Sequence, residues 1–207
     1  MNILFPILHT HKQDERIDNV LDTWGKNENV IFYSDKENLD KKVYKVSDNS
    51  EYDSGQEKQV NVFKLLKYFL DYDWYFFCDN DTFVNTSLLK KEILNYNIDT
   101  VYGEIIQCWP PDRSLKYPSG GAGFLISNKI VRTLIENILP CPFQPYSDVA
   151  LGFNLRKLGI ECEHSELFHS QKPEFYNIKK SDINKYLTFH YITDKNDMER
   201  FHDLCQE

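Results

Sequence analysis

The chain has 207 residues, with 24 Lys and Arg against 32 Asp and Glu, a formal charge of −8. That length suits one domain with a substantial core, and 41% hydrophobic with 14% aromatic residues excludes a chain that stays disordered. The negative balance argues against a duplex nucleic-acid binder, which needs a cationic face. The longest apolar runs, at 4–8 and 74–78, are far shorter than the about 20 residues of a membrane-crossing helix.

In chain order, residues 2–8 read as a strand rather than an export signal, because Met1 is followed by neither a basic stretch nor a small-residue cleavage site. Ile17, Val20, Leu21 and Trp24 recur at i, i+3, i+4 and i+7, one face of a helix that Gly25 ends. Residues 29–34 form a second strand and 42–46 a short third. Val60, Phe63, Leu66, Phe69 and Leu70 give 57–70 the apolar face of another helix. Residues 74–78 are uniformly apolar, as expected of a central strand covered on both sides. A helix over 87–96, a strand over 100–106, a strand at Phe124 and a helix over 127–139 follow. Residues 107–119 have no period and read as a functional or mobile surface loop. From Lys172 onward the pattern is polar and weak, with a short helix over 197–205. No repeat interrupts this alternation. It implies an α/β layer sandwich, one domain over 1–207, with a mostly parallel sheet and ligands beyond the carboxyl ends of the strands.

Five cysteines (Cys78, Cys108, Cys141, Cys162, Cys205) are odd in number and lack CxxC spacing, which argues for reduced thiols in a cytoplasmic setting. Two sequons, at Asn80 and Asn85, point the same way, since a glycan beside the acidic turn described next would disable it.

The apolar run at 74–78 empties into Asp79-Asn80-Asp81. In an extended turn, i and i+2 share a side, so both carboxylates can face one site. They repel unless a cation joins them, and Mn²⁺ or Mg²⁺ would do so while leaving positions for phosphate oxygens. The plain alternative is an acidic turn that caps the following helix. A strand ending in DxD also opens the haloacid-dehalogenase phosphatases, with the first acid, here Asp79, as nucleophile. However, Thr82 comes one position early for that pattern and no later Asp-Asp pair follows.

Further segments fall into a recognisable order around that turn: Arg16…Thr23-Trp24, Tyr33-Ser34-Asp35, Asp73-Trp74…Asp79-Asn80-Asp81-Thr82-Phe83-Val84, Tyr102-Gly103-Glu104, Ser119-Gly120-Gly121-Ala122-Gly123-Phe124, Ser147-Asp148…Gly152, and Leu167-Phe168-His169-Ser170. Together they resemble the fringe-like β-1,3-glycosyltransferases, the family that includes the core-1 galactosyltransferases. The sequence departs from that family in carrying Asn80 inside the acid triplet and in lacking the anchor, stem and cysteine framework of the animal enzymes. In that stemless, Asn-, Lys- and Tyr-rich character it is similar to bacterial or large-DNA-virus transferases, such as the capsid-glycan enzymes of viruses infecting Chlorella.

The resemblance implies a single-domain GT-A-like fold, with a nucleotide-binding half over about 1–80 and an acceptor half over about 81–207. It implies a UDP-sugar donor, a glycan or glycoprotein acceptor, and Mn²⁺ or Mg²⁺ held by Asp79, Asp81 and His169. Donor binding then falls to Thr10, Arg16, Asp35, Asn80 and Lys172. Gly120, Gly121 and Ala122 would let a sugar approach the backbone, and Trp109 and Tyr146 would stack on sugar faces. Asp148 would then be the general base of an inverting transfer, although Ser147-Asp148 before Val149 equally reads as a helix N-cap. His190, in Thr188-Phe189-His190-Tyr191, reads as part of the site floor. The phosphatase and a non-catalytic sugar-nucleotide binder remain as alternatives.

Overall fold

A computed structural model describes residues 1–108 and 111–206. In chain order the elements are β1 (Ile3–Leu8), α1 (Glu15–Leu21), β2 (Asn29–Ser34), β3 (Val43–Lys45), α2 (Gly55–Leu66), β4 (Trp74–Asp79), β5 (Phe83–Val84), α3 (Thr86–Glu92) and β6 (Thr100–Gly103). They continue with β7 (Ile105–Gln107), β8 (Lys116–Pro118), β9 (Phe124–Ser127), α4 (Asn128–Asn137), α5 (Ser147–Lys157), β10 (Glu161–His164), β11 (Thr188–Phe189) and α6 (Lys195–Leu204). Seven strands form the central sheet in the order β10-β6-β9-β4-β1-β2-β3. It is parallel except at β9, which runs antiparallel to both β4 and β6.

The uniform apolarity of β4 follows from its place. Successive side chains point to opposite faces, so Trp74, Phe76 and Cys78 enter one core with Trp24, Leu89 and Phe201. Tyr75 and Phe77 enter the other, with Phe63, Leu134 and Leu155 from α2, α4 and α5. Phe76 and Phe77 are wholly buried, each stabilising the sheet by about 1.5–3 kcal/mol relative to an exposed ring. Phe77 stacks on Phe124 of β9 at 5.1 Å, so the antiparallel strand is locked to the centre.

Three contacts fix the acidic turn at the carboxyl end of β4. The Thr82 amide donates to the Asp79 carbonyl (3.1 Å), Thr82 Oγ1 donates to the Gly121 carbonyl (2.8 Å), and Trp24 Nε1 donates to the Thr82 carbonyl (3.1 Å). Just beyond it, β5 pairs antiparallel with β11. The Ile192 amide donates to the Asp81 carbonyl (2.8 Å), so the segment carrying His190 lies against the acids.

Several boundaries differ from the sequence pattern. α1 ends at Leu21, and Trp24 is buried from the turn that follows. α2 ends at Leu66 because the amides of Tyr68 and Phe69 bond three residues back rather than four. The stretch read as a loop over 107–119 is in part a β7–β8 hairpin, with Leu115 fully buried and its carbonyl accepting from the Cys108 amide (2.7 Å). Strands of three residues are too short to show a period. No helix among the described residues is long and apolar enough to cross a membrane.

Candidate metal and donor site

A cleft of about 630 Å³ opens at the carboxyl ends of β1 and β4 and is lined also by the first turn of α5. Asp79, Asp81 and His190 meet in it. His190 Nε2 lies 3.1 Å from Asp81 Oδ1 and 3.6 Å from Asp79 Oδ2. Its Nδ1 lies 3.2 Å from the Ser170 carbonyl, to which it donates as an N–H. That bond leaves the Nε2 lone pair aimed at two carboxylates, which requires a cation, proton or metal, between them. Gly121 makes the seat: a Cβ there would stand 2.3 Å from the imidazole. Tyr191 covers the ring at 3.8 Å from a left-handed backbone (φ 61°).

The electrostatics agree with a shared cation. Burial pushes the Asp79 carboxyl up to about 6, reinforced by the negative charges of Asp81 and Asp148 and opposed by His190. Burial also acts to raise Asp81, but the hydrogen bond and charge of His190, with Arg16 beyond, hold it below its usual value. Burial alone would lower His190, and Asp81 and Asp79 outweigh it and raise the imidazole. One ligand atom from each of the three residues lies within 4.8 Å of the others. Two carboxylates and a neutral imidazole suit Mn²⁺, and with less preference Mg²⁺.

Arg16, on α1, donates to Asp81 Oδ2 (3.1 Å) and to Asn80 Oδ1 (3.2 Å). The buried Asn80 amide in turn reaches His9 Nδ1 (2.9 Å) and donates to Gln13 Oε1 (3.1 Å). An amide donates to both acceptors where a carboxylate would not, which gives this chain's departure at position 80 a physical reason. Asn80 and Asn85 are both buried, so neither sequon is open to modification in the folded chain.

Asp148 faces the cleft from the second position of α5. Neither it nor Ser147 is the N-cap; that position is Tyr146, without a side-chain cap. The carboxylate accepts from the Gly120 amide (3.4 Å) and the Val149 amide (2.8 Å), and burial raises its pKa. Tyr146, 42% exposed, and Tyr52, 86% exposed, flank the mouth with ring centroids 5.9 Å apart.

Among the other expected residues, Thr10, Arg16, Asn80, Gly120, Gly121 and Tyr146 line the cleft. Asp35 lies beneath it, bonded to His11 and to the buried Lys58 (3.2 Å). Burial acts to raise Asp35, yet the bonds from His11 and Thr10 and the Lys58 charge hold it well below the usual carboxylate range. Ala122 is fully buried behind the glycines, and Lys172 is exposed ahead of a short 3-10 turn; neither lines the cleft. Trp109 lies outside the described residues.

The largest correction concerns the histidine. His169 is buried among Tyr176, Tyr186 and Phe189 with ring centroids at 4.3, 4.8 and 5.0 Å, and its Nδ1 has no hydrogen-bond partner. Its side chain packs into this aromatic box, and the imidazole at the acid pair is that of His190. Sequence reasoning also passed over Lys58, Tyr52 and Gln13, which line the cleft. Of these, only Lys58 carried a signal, a charge on the apolar side of α2.

Comparison with known proteins places this cleft among related chains. A family model described as Fringe-like matches residues 2–203. The chain is 25% identical to the zebrafish (Danio rerio) beta-1,3-N-acetylglucosaminyltransferase lunatic fringe, over 85% of this chain and 55% of that protein. It is 28% identical to the Xenopus laevis glycoprotein-N-acetylgalactosamine 3-beta-galactosyltransferase 1, over 62% of this chain and 38% of that one. It therefore spans about half or less of the length of these relatives. Solved structures that share its fold include two glycosyltransferases. One is a glycosyltransferase involved in glycosylation of the major capsid of PBCV-1 (TM-score 0.57, 13% identity, all of both chains). The other is the galactosyltransferase LgtC (TM-score 0.53, 14% identity, all of this chain and 95% of that one).

Proposed function

The chain belongs to the fringe-like family, and from that premise we propose that it is a metal-dependent glycosyltransferase moving a sugar from a UDP-sugar to a hydroxyl of a glycan or glycoprotein acceptor. The observation that carries this reading is the meeting of Asp79, Asp81 and His190 in one cleft that Asp148 also lines. Asp79, Asp81 and His190 would hold Mn²⁺ or Mg²⁺. When bound, such an ion supplies positive charge against the diphosphate that leaves.

The chain's own residues do the rest. Thr10, Arg16 and Lys58 present donors on the nucleotide side, with Asn80 bracing Arg16 and Asp35 buried below to hold Lys58 in place. Arg16 spans Asp81 and Asn80, so it is placed to give a hydrogen bond to diphosphate as well. Asp148 accepts the acceptor hydroxyl's proton at a carboxylate oxygen as that hydroxyl attacks. Its raised pKa makes it a stronger base than an exposed aspartate. With Asp148 as base the transfer would invert, as the family resemblance implies, and the acid turn would divide a donor half over about 1–80 from an acceptor half over about 81–207. The odd count of five cysteines without CxxC spacing supports a cytoplasmic setting.

A phosphatase with Asp79 as nucleophile is less well supported, because Thr82 stands one position early for that pattern and no later Asp-Asp pair follows. Calorimetry of UDP binding with and without Mn²⁺, on the wild type and on Asp81→Ala, tests the proposal. Binding that needs the metal and is lost in the variant supports it; metal-independent binding unaffected by the substitution overturns it.

A further inference from the structure

Glu104 closes the short run Tyr102-Gly103-Glu104 at the end of β6 and lines no part of the cleft. Nonetheless it holds both walls of the seat in which His190 lies. Its backbone carbonyl accepts from the Ser119 amide (2.9 Å), immediately before the glycines that make room for the imidazole. Its carboxylate accepts from the Ser170 amide and from the Tyr176 hydroxyl, whose oxygen is 3.2 and 3.3 Å from the two carboxylate oxygens. Ser170 Oγ lies 3.4 Å from the same hydroxyl. The other end of Ser170, its carbonyl, is the acceptor for His190 Nδ1 at 3.2 Å.

We propose that Glu104 is a positioning residue: by clamping Ser170 it holds the carbonyl that takes the His190 Nδ1–H and so keeps Nε2 turned toward Asp79 and Asp81. The imidazole has little other choice of place. Gly121 bounds one side, where a Cβ would be only 2.3 Å away, and Tyr191 the other, at 3.8 Å. Within those walls the Ser170 carbonyl at Nδ1 and the two carboxylates at Nε2 set how the ring is turned. A half-buried carboxylate with two acceptor oxygens serves the Ser170 amide and the Tyr176 hydroxyl together. A glutamine keeps the size, has one acceptor oxygen for those two donors, and places an NH₂ where the other oxygen was. Ser170 is then free to turn its carbonyl away.

The proposal rests on the metal reading above only for its consequence; the bond from Nδ1–H to the Ser170 carbonyl is present without metal. The test is the His190 Nδ1–H proton in nuclear magnetic resonance spectra of metal-free protein, its visibility and its exchange with solvent, on the wild type, Glu104→Gln and Tyr176→Phe. Mn²⁺ affinity is measured alongside. The wild type should show a protected Nδ1–H, and Glu104→Gln a fast-exchanging or lost one together with a Mn²⁺ affinity weakened about 10- to 100-fold. Tyr176→Phe, which removes one of the two donors, should shift both in the same direction by less. If the variants fold as the wild type does and keep its Nδ1–H protection, Glu104 plays no such part and the proposal falls. Should Glu104→Gln not fold, unchanged protection in Tyr176→Phe overturns it equally. If protection is lost while even the wild type binds no Mn²⁺, the positioning role stands and the metal reading fails.

Discussion

Substituting Gly121→Ala tests the seat of His190 with a single methyl group. The added Cβ would lie 2.3 Å from Nδ1 and Cε1 of the ring and 2.8 Å from Cγ. Gly121 also cannot retreat freely, because its carbonyl accepts from Thr82 Oγ1 at 2.8 Å within the acidic turn. Ordinary contact begins at 3.4 Å, so the imidazole must move by roughly 1 Å. A shift of that size breaks the 3.1 Å approach to Asp81 or the 3.2 Å bond to Ser170. Misplacement of about 1 Å in a site costs on the order of 100-fold, equivalent to about 2.7 kcal/mol in affinity. Mn²⁺ titration followed by electron paramagnetic resonance reads this directly, with thermal melting as the control, since overpacking costs about 1–3 kcal/mol of stability by itself. A folded Gly121→Ala protein whose Mn²⁺ affinity matches the wild type would refute the reasoning.

Four further outcomes follow from the same contacts. His190→Ala should abolish Mn²⁺ binding, whereas His169→Phe, filling an aromatic box that already leaves Nδ1 unpartnered, should preserve it; calorimetry on the pair separates the two histidines. Burial lowers His169 from its ordinary 6.5, so its neutral form contributes stability that is complete above pH 6.5 and lost as pH falls through the lowered folded-state value. His169→Phe should therefore destabilise less than the wild type on acidification across that window, as read by denaturant melts. Asp148→Asn should cut sugar transfer by about 10²- to 10⁴-fold while leaving UDP affinity in calorimetry intact; unchanged turnover would place the base elsewhere. Gly152→Ala puts a Cβ 2.4 Å from that of Tyr117 and 2.7 Å from the Lys116 carbonyl, prying α5 from β8, and should lower stability by about 1–3 kcal/mol.

Much of this arrangement is legible before folding because it depends on local pattern. Trp74 to Cys78 announce a strand buried on both faces, and the acids that follow can only emerge at its end. The i, i+3, i+4, i+7 spacing from Ile17 to Trp24 marks the helix that carries Arg16 to that end. The histidine is not legible in this way. His190 reaches Asp81 across more than half the chain, through a two-residue β11 whose pairing with β5 leaves no periodic trace. His169 attracts attention because of its Leu-Phe-His-Ser setting, yet its neighbours are aromatic and its imidazole packs among them. The signal that was available lay in Gly121, since a glycine in a buried strand approach asks what occupies the missing Cβ, and the answer is the ring of His190. The segment 107–119 was opaque for a related reason, its hairpin strands being three residues each.

The central claim is that Asp79, Asp81 and His190 grip one divalent ion against a nucleotide diphosphate. A crystal grown with UDP and Mn²⁺, with data collected at the manganese absorption edge, tests it most directly. The account predicts one anomalous peak within coordination distance of a carboxylate oxygen of Asp81 and of His190 Nε2, with the diphosphate on its open side. A peak beside His169, or UDP bound with no manganese near Asp81, would contradict it.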